Sequence, residues 1–320
     1  MKLGLFTVVY GALSCNAMLE RASALGIEQL ELGAGGWPGS SHLPVDELLS
    51  SAQAAREYLA KLSDHGCTIS ALSCHGNPLH PDALTASNYD KVFRNAVLLA
   101  EKLNVPTVVT FSGCPGDHGP GKVPNWVITP WPPEFAELLE WQWESVAIPY
   151  WREAAKFAES HGVRIALEAH PGFLVYNVET MLRLCDATSS QIGINFDPSH
   201  LYWQGIHIPS AIAALGKAIF HVHAKDVAMY RHNLDRNGVL DTKGYQQIAE
   251  RSWNFRTIGC GHGEKEWKEI LGALRIAGYD GAISIEHEDP LLSIDEGITM
   301  AVDLLKRILP RAPAPKPWWV

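Results

Sequence analysis

Hydrophobic and polar positions alternate with a period of two in four short runs of the second half of the chain: RIALEAHPG (164–172), IGINFDPSH (192–200), IFHVHAKD (219–226) and GAISIEHED (281–289). Successive side chains on a strand point to opposite faces, so each run divides into two sets. One set is apolar: Ile165 and Leu167, Ile194 and Phe196, Phe220 and Val222, Ile283 and Ile285. The other is small or polar and ends in a side chain able to bind a metal: Ala166 then Glu168, Asn195 then Asp197, His221 then His223, Ser284 then Glu286. Four strands of equal parity, each offering its polar group at the C-terminal end, predict a ring of parallel strands with an apolar outside and one shared mouth. That is the layout of a (β/α)8 TIM barrel.

The same reading of the first half predicts strands at Lys2–Val9, Ile27–Leu32, Thr68–Ser73 and Thr107–Thr110. In the second of these Leu30 and Leu32 face outward and Glu31 inward. Helical periodicity falls on Met18–Leu25, with Asn16 as its N-cap, and on Val45–His65, Asn88–Leu103, Phe135–His161 and Ile294–Leu309. Residues 1–310 are therefore expected to form a single barrel domain, followed by a proline-rich tail at 311–320. The opening MKLGLFTVVYGALSC has the Lys and apolar run of a secretory leader, but its charged region is thin and its loss would remove a strand the barrel needs to close. A first strand is the preferred reading.

Three long segments fall at the mouth: 33–44, 111–133 and 227–266, all rich in Gly and Pro or irregular in pattern. Trp37, in GAGGWPGSSHLP, is expected to wall the pocket, and Trp126 and Trp131 to form an aromatic wall over a sugar or a subunit contact. In 227–266, GCGHGEKEW (259–267) places glycines before a helix start, where backbone N–H groups can meet a phosphate.

Three carboxylates and one imidazole make a hard, oxygen-rich donor set, suited to Mn²⁺, Mg²⁺ or Co²⁺ more than to a thiolate metal. Glu168, Asp197, His223 and Glu286 are the expected ligands of one divalent cation, Mn²⁺ first among the three. Around them His75, His170, His200 and Lys225 are candidate substrate contacts, together with Trp37. His75 lies just past the third strand, His170 shares parity with Glu168, His200 sits one turn beyond Asp197, and Lys225 shares parity with His223. The plainer readings are an orienting role for His170 and His200 and a rim ion pair with Asp226 for Lys225.

The four runs, with ALSCHGNPLHP (71–81), resemble the xylose isomerase-like barrel superfamily, in particular its sugar phosphate isomerase/epimerase branch, with ketose 3-epimerases, inosose dehydratase and, more remotely, endonuclease IV among its members. The resemblance extends from the first strand to the helix after Glu286. It implies an acid/base pair formed by the two metal-touching glutamates, Glu168 and Glu286. One removes a proton next to the carbonyl of a ketose or keto-sugar and the other returns it, giving epimerisation or isomerisation. The same intermediate can expel a β-leaving group, which would make the protein a dehydratase or lyase on a keto-inositol or 3-keto-glycoside. One departure stands out: where ketose epimerases place a substrate-binding arginine after the metal histidine, His223 is followed by Ala224, Lys225, Asp226, Val227, Ala228 and Met229. That argues against free tagatose or psicose.

Composition narrows the partners. A formal charge of −9 gives no basic stripe for nucleic acid, which counts against an endonuclease IV-like phosphodiesterase recruiting His75, His221 and His262 to a metal cluster. Six cysteines lack metal-knuckle spacing and read as reduced thiols of a cytoplasmic protein. No run approaches a membrane span, so the expected partner is a small-molecule sugar, with a homo-oligomer as the expected form of any assembly.

Overall fold

A computed structural model describes residues 1–119, 121–313, 316, 318 and 319. Eight parallel strands close into a barrel: β1 (Lys2–Phe6), β2 (Gln29–Gly33), β3 (Thr68–Ser73), β4 (Thr107–Phe111), β5 (Arg164–Glu168), β6 (Ile192–Phe196), β7 (Ile219–Ala224) and, after an excursion, β10 (Ala282–Ile285). The excursion carries β8 (Asp226–Met229) and β9 (Trp253–Arg256), which pair with each other antiparallel and stay outside the ring. β1 closes the barrel, matching Leu3 to Ile283 on one side and Leu5 to Leu30 on the other.

The expected parity governs the walls. Leu3, Leu5, Leu30, Leu32, Ile165, Leu167, Ile194 and Phe196 are buried outward against the helices, each stabilising by roughly 1.5–3 kcal/mol when fully buried. The inward set is small low in the barrel, where Ala71, Val109 and Ala166 cluster with Phe220, and polar at the mouth. Phe220 corrects its assignment to the outward set. The β6–β7 register slips, Ile194 opposing Ile219 but Asn195 opposing His221, so Phe220 is an extra residue whose ring turns inward. Gly193 makes this possible, because a Cβ there would lie 2.6 Å from the Phe220 ring.

Several boundaries also move. The first strand ends at Phe6, and Thr7–Tyr10 forms a 3-10 turn in which Thr7 donates to the Glu31 carbonyl at 3.1 Å. The first helix is Cys15–Ala24, capped by Ser14 rather than Asn16. The segment 227–266 is less irregular than expected, since it contains β8, the helix Arg231–Asn237 and β9. The segment 111–133 is irregular almost throughout; its residue 120 lies outside the described residues, as do 314, 315, 317 and 320 of the tail. Among the described residues no helix is long and apolar enough to cross a membrane, and all six cysteines are free.

Candidate functional site

Four strand ends deliver the acidic mouth. Glu168 is the last residue of β5, and Asp197 follows β6 as the N-cap of Pro198–Tyr202, its Oδ1 accepting the Ser199 N–H at 2.8 Å. His223 lies in β7, and Glu286 directly follows β10, its N–H reaching the Ala224 carbonyl at 3.3 Å. One donor atom from each of the four lies within 4.8 Å of the other three. His223 Nδ1 is 2.9 Å from Glu286 Oε2 and 3.4 Å from Glu168 Oε2.

Two carboxylate oxygens here are short of partners. Asp197 Oδ2 lies 3.1 Å from Lys225 Nζ and 3.2 Å from His200 Nε2. Glu286 Oε2 lies 2.9 Å from Lys225 Nζ. Neither oxygen accepts an aligned hydrogen bond, although both are buried. The charge contacts are close but the lone pairs are left over, which is what a divalent cation would satisfy. The residues present therefore fit such an ion.

Behind them runs a second polar layer. Glu31, inward-facing on β2 and wholly buried, accepts from His221 Nε2 at 2.9 Å, from His223 Nε2 at 2.9 Å and from Ser284 Oγ at 2.7 Å, and also from Ser73 Oγ. With its Nε2 proton directed at Glu31, His223 presents Nδ1 to the mouth. Glu168 is similarly held: His75 Nε2 and Asn195 Nδ2 each donate to Oε2 at 3.0 Å, and His200 Nε2 donates to Oε1 at 3.1 Å.

Electrostatics follow from this packing. Burial alone would raise the Glu31 and Glu168 carboxyls, but the imidazoles outweigh it and hold both well below the ordinary carboxylate range. Burial likewise opposes ionisation of Glu286, yet Lys225 and His223 bring it down to about 2. His170 goes the other way, because burial and the neighbouring His200 push it down to about 3, leaving it neutral.

A cavity of about 200 Å³ opens over these groups, lined in part by Trp37, His75, Glu168, His170, Lys225 and Glu286. His200 is wholly buried behind it, bonded to Glu168. Trp37 stands at the rim, its ring 5.6 Å from Phe111 and 5.8 Å from Phe173, and those two stack at 4.4 Å. Trp37 and Phe111 wall the cavity, with Phe173 stacked on Phe111. Trp126 packs instead against Tyr176 around a separate hollow, and Trp131 projects into solvent, so neither lines the cavity.

Two sequence readings are corrected. Lys225 forms no rim pair with Asp226; it is 2% exposed and its Nζ reaches Asp197, Glu286 and Glu288. Asp226 turns the other way, its Oδ2 taking the N–H groups of Gly259, Gly261 and His262 and the Trp267 indole. The glycine run does meet an anion, but the anion is this carboxylate, which takes the N–H groups that could have met a phosphate. His262 is engaged there too, at 2.7 Å from Asp226 Oδ1, while His221 is bonded to Glu31; among the described residues, His75, His221 and His262 share no metal cluster. Sequence reasoning missed Glu31, Asn195 and Glu288. The inward parity of the first two was the available signal.

The family model for the xylose isomerase-like TIM barrel matches residues 19–308. The chain is 42% identical over 312 residues to "Uncharacterized protein YfiH" of Bacillus subtilis, covering 97% of this chain and 99% of that one. Among solved structures it is similar to the probable 3-DHS dehydratase AsbF of Bacillus anthracis (TM-score 0.67, 18% identity, 96% and 99% coverage). It is also similar to an IOLI protein with a binding zinc atom (TM-score 0.65, 21%, 97% and 99%) and to a D-psicose 3-epimerase (TM-score 0.61, 15%, 97% and 99%). At these identities the structural likenesses bear on the fold.

Proposed function

This chain belongs to the xylose isomerase-like TIM barrel family, and from that premise we propose that it is a divalent-metal-dependent enzyme that moves a proton beside the carbonyl of a keto-sugar, epimerising or isomerising it. The observation that carries the reading is the convergence of Glu168, Asp197, His223 and Glu286, with donor atoms within 4.8 Å of one another, two of them, Glu168 and Glu286, lining one cavity. Those four would hold the ion. When bound, it would supply Lewis acidity, polarising a substrate carbonyl and making the adjoining C–H more acidic.

The chain's own groups do the rest. Glu168 and Glu286 both line the cavity, so each carboxylate is placed to exchange a proton with a bound substrate. One glutamate, as carboxylate, removes the proton next to the carbonyl; it then hands that proton to the neighbouring atom, or the other glutamate, having taken a proton from solvent, delivers it to the opposite face while the first loses its own to solvent. The His75 and His200 donations fix the Glu168 carboxylate in place. Lys225 offers N–H donors to a substrate oxygen beside Glu286. Trp37 and Phe111, the latter backed by Phe173, give an apolar face for the sugar's C–H groups and restrict water.

A second reading is elimination, in which a β-hydroxyl leaves after the same proton removal. It is favoured by Lys225, whose ammonium lines the cavity 2.9 Å from Glu286 and can protonate a departing oxygen. The free cysteines are in keeping with a reducing, cytoplasmic setting.

The test is a panel of ketoses, inososes and 3-keto-glycosides incubated in D₂O with Mn²⁺-loaded protein and read by NMR. Deuterium should enter next to a carbonyl, and E168Q and E286Q should each abolish it. Full turnover in either variant would overturn the acid/base assignment. Metal analysis should find one ion per chain; three would favour the phosphodiesterase reading instead.

A further inference from the structure

The mouth has a second compartment. Beside the metal cavity lies a larger hollow of about 360 Å³, lined by His170, Tyr245, Asn254, Phe255, Glu288 and Pro290. The two share His170 and Glu288 as walls, so they are neighbouring rooms of one site. Alone, the metal cavity of about 200 Å³ falls short of the roughly 300–1,000 Å³ common for ligand pockets, and the two joined fall inside that range.

The chemistry of the second room differs from the first. The Tyr245 and Phe255 rings stack with centroids 5.8 Å apart and 23° between planes, forming a broad apolar platform. Tyr245 is 57% exposed, so its ring keeps a face open to an incoming group. Phe255 also meets the first room, with Lys225 Nζ 4.7 Å over its ring and the His200 edge 5.2 Å away. Asn254 is 1% exposed; its Nδ2 donates to the Ile248 carbonyl at 3.0 Å, while its Oδ1 has no hydrogen-bond partner among the described residues. A buried acceptor left unpaired is costly unless a ligand or water brings a donor.

An aromatic platform beside an unused acceptor suits a ring that is apolar on its C–H face and carries hydroxyls at its edge. We infer that this hollow is a subsite for a second sugar ring: the substrate is a glycoside whose keto ring lies in the metal cavity and whose other ring rests on Tyr245 and Phe255, donating a hydroxyl to Asn254 Oδ1. Glu288, between the rooms, accepts from hydroxyls near the glycosidic bond. The inference rests on the metal cavity being where the proton is transferred.

Calorimetric titration of the Mn²⁺-loaded full chain tests it, using glucose and methyl β-glucoside against trehalose, sucrose, maltose, cellobiose and lactose. At least one disaccharide should bind about tenfold or more tightly than the monosaccharides, equal to about 1.4 kcal/mol. Tyr245→Ala, at an exposed position, should erase that advantage while leaving monosaccharide affinity unchanged, and Asn254→Ala should reduce it in a protein shown to be folded by circular dichroism. Equal affinities across the panel, or an advantage that survives both substitutions, would overturn the subsite. Deuterium exchange into keto-sugars reports on the metal cavity separately. A disaccharide preference without exchange would sink the proton-transfer reading, and exchange without the preference would sink only this one.

Discussion

His223 can face a cation only with the nitrogen that Glu31 does not hold. The Glu31 carboxylate, also fixed by His221, Ser73 and Ser284, takes the Nε2 proton at 2.9 Å and leaves Nδ1 turned to Glu168 and Glu286. Partners of this kind orient a ligand, and their loss typically costs 10–100-fold in metal affinity. E31Q should therefore weaken Mn²⁺ binding by about 10–100-fold in a chain that still folds, as measured by competition with a fluorescent chelator; unchanged affinity would refute the orienting role. Residue by residue, the sequence was legible where parity alone decides direction. Glu168, Asp197, His223 and Glu286 are neighbours because each ends an inward-facing alternation. Parity also turns Glu31 and Asn195 inward, but their partners are remote along the chain, 27 residues away for Asn195 and Glu168 and 253 for Glu31 and Ser284, and no local pattern reports that. Lys225 illustrates the same limit: an adjacent Asp226 suggests a rim pair, whereas closure of the ring brings three remote carboxylates to its ammonium.

Among the elements, the eight barrel strands were readable and the β8–β9 hairpin was not. Each of its strands has only four residues, and they pair across a gap in which Met229 meets Trp253 and Asp226 meets Arg256. Such short strands carry little periodic signal. Two carboxylates anchor the hairpin to the barrel. Asp226 gathers the turn at 259–262, and Gly261 must stay a glycine there because a Cβ would lie 2.2 Å from the Val227 carbonyl oxygen. Asp289 clamps the far end of β9, accepting from Arg256 Nε and the Thr257 N–H at 2.9 Å each. Burial alone would raise the Asp289 carboxyl, but these donors outweigh it and lower it below its ordinary value. A depressed carboxyl stabilises the fold fully above its unfolded value, about 3.9, and loses that contribution as pH falls through the folded value. Against D289N, the wild type should show its widest stability advantage above about pH 5, shrinking as the pH drops below about 4. Urea melts between pH 3 and 7 measure this, and an advantage that grows on acidification would contradict the clamp.

For the molecule as a whole, the mouth is a place where like charges were brought together by topology. Glu168, Asp197 and Glu286 converge from three strand ends, and the Lys225 ammonium lies 3.1 and 2.9 Å from Asp197 and Glu286. Removing one partner of a buried charge group costs roughly 3–5 kcal/mol, because the remaining charges are left uncompensated. An ion that binds only the folded chain stabilises it by about 2.7 kcal/mol at a hundred times its dissociation constant. If the proposed cation binds these carboxylates, Lys225 and the ion would serve overlapping electrostatic ends, and their effects should not add. Lys225→Met should lower the melting temperature strongly in chelator-treated protein and much less in the presence of saturating Mn²⁺, so that the metal-induced rise in melting temperature is larger in the variant than in the wild type. D197N should shrink the metal-induced rise in either background, since it withdraws one of the donors. Scanning calorimetry of the four chains with and without Mn²⁺ separates these terms. If Lys225→Met cost the same with and without the ion, the ammonium and the cation would not be answering the same carboxylates, and the four strand ends would not constitute one metal centre.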